Sequence, residues 1–128
     1  MNILPLLFFG LLSFDIGNDL IITARLDTIA AVPDCGYFYF GATAKYSDIV
    51  VLQGHYDYRF IFVVHGCPEL ARSGEDGTLQ AFNVGNYHRL VLTRENIHNI
   101  RGIKPIDSSQ TTSNDSVRFF AKRVDLFK

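Results

Sequence analysis

Apolar and polar residues alternate strictly along the first long stretch of the chain. In "DLIITARLDTIAAVPDCG", Ile22, Ala24, Leu26, Thr28, Ala30 and Val32 fall on one side of an extended backbone. Arg25 and Asp27 fall on the other. The pattern predicts a strand over 20–32, ended by Pro33 and Asp34. A second strand is predicted over 37–52, where Phe38, Phe40, Ala42, Ala44 and Tyr46 share a face expected to be core. The parity then slips by one residue, and Ile49 and Val51 take over. Such a slip after the mid-strand Gly41 predicts a bulged, strongly bent strand. Over 57–66, Tyr58, Phe60, Phe62 and Val64 oppose Arg59, Ile61, Val63 and His65. A fourth extended segment is predicted over 79–92, bent at Gly85 and Asn86. The last runs over 117–126, with charges on both faces that suit a sheet edge.

The period changes between these strands. In "CPELARSG", Pro68 suits a first helical turn, Glu69 complements a helix N-terminus and Gly74 suits the stop, so a short helix is predicted there. "TRENIHNIRG" reads as a second short helix, with Thr93 as N-cap and Gly102 as terminator. Residues 104–116 are polar and rich in Ser and Thr, the composition of an exposed loop. Three strands, a helix, a strand, a long loop and a last strand is the order of an OB-type Greek-key barrel. The expected fold is therefore mainly β: a small five-stranded OB-like barrel with one or two short helices, forming a single domain over 19–128.

Composition fits that size. At 128 residues with 48% hydrophobic and 20% charged side chains, the chain can fill one core and has little room for a second. The net charge of −1 gives no global attraction to nucleic acid or anionic lipid. The opening "MNILPLLFFGLLSF" carries no charged side chain. Its apolar run has the length of a signal-peptide h-region and is too short to span a bilayer. Residues 1–14 are expected to be that region, with cleavage within 13–18, although no Lys or Arg precedes the run and no A-x-A site follows it. A secreted or periplasmic location is the expectation, with no stable membrane span. A buried N-terminal element is the alternative. In an exported domain, Cys35 and Cys67 are most simply one disulfide, worth roughly 3–4 kcal/mol for a loop of this length.

The segments "PDCGYFYFG", "VVHGCPELAR" and "NVGNYHRLVLTREN" resemble those of small, uncharacterised exported bacterial proteins. The strand order and "VGNYHRLVL" are also similar to netrin-like OB barrels, the fold of metalloproteinase-inhibitor N-domains. Inhibitors of that kind chelate their target's metal through an N-terminal cysteine. This chain has no cysteine near either plausible mature N-terminus, which disfavours that mechanism.

Three chemistries are open to the residues. His65, Cys67 and Glu69, with Cys35 as a fourth, are candidate metal ligands, but the paired spacings of zinc sites are missing and no metal or other cofactor is expected. Cys67 with His65 or His88 would make a thiol nucleophile and its base. No signature surrounds the cysteine, so a framework disulfide is preferred and no catalytic residue is expected. His55, His88 and His98 are read as isolated surface or turn residues. Alternation sends Tyr37 and Tyr39 to one face, where they would stack a ligand as OB barrels do. The expected role is a non-catalytic binding module for an envelope protein or small ligand, without nucleic acid. The alternatives are a thiol- or metal-dependent enzyme using Cys67 and His65, and a single-strand nucleic-acid binder.

Overall fold

The computed structural model describes residues 19–96, 101–104 and 118–128. Its strands are β1 (Leu20–Ile29), β2 (Phe40–Gln53), β3 (Ile61–Gly66), β4 (Gly77–Thr78), β5 (Tyr87–Thr93), β6 (Arg101–Lys104) and β7 (Phe119–Phe127). Five of them close a barrel in the circuit β1–β2–β3–β7–β5–β1, with β3 and β7 parallel and the other pairs antiparallel. This is the expected OB-like circuit. β4 extends the parallel edge of β7, and β6 adds in parallel to β2 at Phe40 and Ala42.

The core follows the alternation of β1 and, on β2, of Ala44 and Tyr46, whereas the sequence pattern assigns no core face to the third or fourth strand. β1 contributes Leu20, Ile22, Ala24 and Leu26, β3 contributes Ile61 and Val63, and β5 contributes Leu90 and Leu92. β2 contributes Ala44 and Tyr46, with Ile49 and Val51 packed against them after the parity slip. That slip sits at Asp48, not after Gly41. Asp48 adopts a left-handed backbone (φ 54°), and the register with β1 jumps there. A bulge at this point turns β2 so that its two halves serve different stretches of the closed sheet.

Several expectations need correction. The strand over 20–32 ends at Ile29, and Ala30 instead bonds the Thr43 carbonyl as the chain leaves the sheet. Residues 37–39 lie in a loop. Phe38 therefore stands exposed, not in the core. The third strand starts at Ile61 instead of 57. Residues 79–86 form a loop bridged to Arg72 at Leu79 and tied to Leu26 by Gly85 and Asn86, so the fourth strand begins only at Tyr87. β7 is no edge, because β5 and β3 flank it and β4 joins it.

"CPELARSG" is not a helix. Cys67 has a positive φ of 48°, and the Leu70 N–H closes one turn onto the Cys67 carbonyl. The Arg72 guanidinium then donates to the carbonyls of Gly66, Cys67 and Leu70, occupying acceptors that a helix would have used. The one helical element among the described residues is a 3-10 turn at Gly74–Asp76. Of the second expected helix, Thr93 ends β5 and Arg101 begins β6, while residues 97–100 lie outside the described residues. Residues 105–117, most of the expected polar loop, lie outside them as well, as do His98 and residues 1–18, which include the expected h-region.

Gly77 holds the short β4 against β7. A Cβ there would fall 1.9 Å from the Val124 carbonyl oxygen, so the strands approach only because the residue has no side chain.

Candidate functional site

Two places carry chemistry: a loop on the surface and a polar cluster inside the barrel.

The loop joins β1 to β2. A disulfide links Cys35 in the loop to Cys67 just past β3, with their Cα atoms 5.6 Å apart. Glu69 adds a second tie, its carboxylate accepting the Cys35 N–H at 2.8 Å. The Phe40 N–H points at the Cys35 sulfur (3.3 Å), and the Cys67 N–H donates to the Phe40 carbonyl (2.9 Å). Between these fixed ends the chain presents three consecutive aromatic residues to solvent. Tyr37 is fully exposed, and Phe38 and Tyr39 are more than half exposed. Leu70 stands exposed on the neighbouring turn. Beside them lies a groove of about 290 Å³ whose lining includes Tyr39, Leu70, Arg72, Asp76 and Lys122. Its cations are engaged: Lys122 pairs with Asp19, Arg123 with Asp125, and Arg72 with the carbonyls named above.

The sulfurs of Cys35 and Cys67 and the Glu69 carboxylate lie within 4.8 Å of one another. A soft metal would need thiolates there, and sulfurs bonded to each other supply none. His65 does not join the group. It is fully buried in the barrel, and its Nε2 lies 2.9 Å from the Tyr46 hydroxyl. The proposed nucleophile and base thus face different surroundings.

That Tyr46 hydroxyl is shared. His88 Nδ1 lies 2.8 Å from it on the other side, so His65 on β3, Tyr46 on β2 and His88 on β5 form one buried chain of hydrogen bonds. All three side chains are shielded completely from solvent. The Phe82 ring, from the loop after β4, covers both imidazoles at 4.6 Å and 5.7 Å between centroids. Arg72 also lies over that ring, 4.8 Å from its centroid. Burial pushes the Tyr46 hydroxyl well above its usual range. Burial also lowers His65 well below the ordinary imidazole value, helped by Arg72 and by His88. His88 is lowered to about 4 by burial alone.

Reading His88 as a surface residue was therefore wrong. The signal was in the alternation: His88 has the parity of Leu90 and Leu92, and His65 that of Ile61 and Val63. His55 is exposed as expected, paired with Asp57. The chain matches no family model, no curated protein and no solved structure.

Proposed function

We propose that the protein is a non-catalytic binding module of an exported protein, and that the disulfide-held loop engages an envelope protein or small ligand through Tyr37, Phe38 and Tyr39. The carrying observation is that three consecutive aromatic side chains stand in solvent on a loop tied at Cys35 and Phe40. Aromatic side chains bury about 150–250 Å² each when covered, and Tyr is enriched at recognition surfaces. A loop already tied down loses less conformational freedom on binding than a loose one. A disulfide is compatible with an oxidising, exported compartment, in line with the expectation that residues 1–14 form a signal-peptide h-region. No helix among the described residues is long and apolar enough to cross a membrane. The thiol- or metal-dependent reading has less support, because Cys67 is bridged and His65 bonds Tyr46.

The test is purification from the native host under oxidising conditions, followed by identification of what co-purifies. The wild type is expected to bring down an envelope component that the Tyr37→Ser/Tyr39→Ser protein does not. Equal recovery by both proteins would refute the assignment of the loop, and titratable cysteines in the native protein would favour thiol chemistry instead.

A further inference from the structure

The His65–Tyr46–His88 chain has a property that follows from counting protons. A tyrosine hydroxyl has one proton to give, and a neutral imidazole carries its N–H on one nitrogen. If Tyr46 donates to His88 Nδ1, then His65 Nε2–H donates to Tyr46, and His88 carries its own proton on Nε2. If Tyr46 donates to His65 Nε2, the roles reverse and His65 carries its proton on Nδ1. Either arrangement leaves one buried N–H at one end and one bare imidazole nitrogen at the other. Among the described residues, His65 Nδ1 and His88 Nε2 are indeed the two imidazole ring atoms of this chain of bonds with no hydrogen-bond partner. Adding a proton at the bare end makes a cation with an unpaired donor inside the barrel.

Among the described residues, nothing nearby compensates that charge. β1 places Ala24 opposite His88, and β7 places Leu126 there. β2 contributes the neutral Tyr46. The loop after β3 contributes Arg72, a like charge acting on His65. No carboxylate acts on either imidazole among the described residues; Asp76 and Glu69 act on Arg72 instead. A buried cation without a counter-charge must be hydrated or neutralised. Three walls of the cluster are strands held by ladders. The fourth is Phe82, in a loop whose backbone ties are the Arg72–Leu79 bridge and the bonds of Gly85 and Asn86 with Leu26. That wall is held by these few backbone bonds in place of a strand ladder, and Arg72 lies over its ring.

We propose that the histidine pair is an acid sensor: its protonation swings the Phe82 cap outward and opens the end of the barrel while the strands remain intact. The device is independent of what the aromatic loop binds. The lowered affinities for protons place the response below pH 6.5, toward the value of about 4 for His88.

The chain has no tryptophan, so Phe82→Trp provides a single reporter in the cap. As pH falls from 7 to 4, emission from the introduced indole should shift to the red and acrylamide quenching should rise, reversibly and with unchanged far-UV dichroism. The same reporter in a His65→Gln/His88→Gln background should show no such response, because a glutamine amide keeps polar contact without titrating. In the wild type, amide exchange corrected for intrinsic rate should lose protection at 79–86 in acid, while 61–66 and 87–93 stay protected. That measurement decides the matter where a variant does not fold. A cap that stays protected to pH 4, a cap that opens only as the strands melt, or an acid response retained without the histidines would each overturn the proposal.

Discussion

The interior cluster and the surface loop invert each other's chemistry. The barrel core, which hydrophobic burial should fill with aliphatic groups, holds His65, Tyr46 and His88. The loop, which should be polar, holds Tyr37, Phe38 and Tyr39 in solvent. Each inversion is maintained in a different way. The interior trio offsets its lost hydration with two hydrogen bonds of 2.9 Å and 2.8 Å, and two ring nitrogens have no hydrogen-bond partner among the described residues. The loop gains little burial from its aromatics and keeps its shape through a disulfide and the Glu69 tie. One region is held by what its side chains do to one another. The other is held at its ends, with its aromatic side chains exposed. That difference is why the loop is assigned to recognition and the cluster to acid response.

Breaking the loop's tie should have the largest effect on stability. Replacing Cys35 and Cys67 together by Ala should lower unfolding free energy by roughly 2–5 kcal/mol in oxidising buffer. Urea midpoints measure it, and added reductant should bring the wild type down to the variant. If the two proteins unfold alike without reductant, the bridge contributes nothing and the contrast loses its first half.

Acid should weaken the other region. Both histidines bind protons less readily folded than unfolded, so the unfolded chain holds more protons below pH 6.5. Stability from this source is therefore complete above pH 6.5 and is lost as pH falls toward about 4. Each pH unit in that window costs up to about 1.4 kcal/mol per histidine. Urea midpoints between pH 7 and pH 4 should fall accordingly, and the His65→Gln/His88→Gln protein should lose the slope. A wild-type midpoint that does not move would mean the imidazoles are hydrated in the folded state.

Tyr46→Phe sharpens the comparison at a single atom. Removing the hydroxyl strips both imidazoles of their shared partner without changing the ring, at a cost of roughly 1–3 kcal/mol for the unsatisfied groups. A loss much below that range would show that the hydrogen bonds are dispensable and that the ring's volume alone supports the site.

How much of this was legible depended on whether a feature was local. Period-two alternation carried the strands and the buried face of β1, because a strand's burial pattern is written in its own residues, but both faces of β3 read as apolar and β5 was given no face. The bulge was legible as a parity slip and misplaced by several residues, since Asp48 carries a left-handed backbone where glycine was expected. The missing helix at 67–74 shows the opposite case. Pro68, Glu69 and Gly74 are all favourable locally, but the bridge from Cys67 to Cys35 and the reach of Arg72 back to Gly66 decide the outcome, and neither is a local property. Phe38 was misassigned for a related reason: alternation has meaning only within a strand, and β2 begins two residues later. The histidine cluster was half legible. Parity placed His65 with core residues, but that one tyrosine hydroxyl on β2 serves rings from β3 and β5 depends on barrel closure.

The smallest expected effect is the most direct test of the account, which holds that the loop's aromatics serve contact and not the fold. Tyr37→Ser/Tyr39→Ser should leave the urea midpoint within about 0.5 kcal/mol of wild type, as for surface substitutions away from packed features. The same samples should lose retention of the envelope component that wild type brings down. A variant that unfolds markedly earlier, or one that keeps both its stability and its partner, would contradict the account.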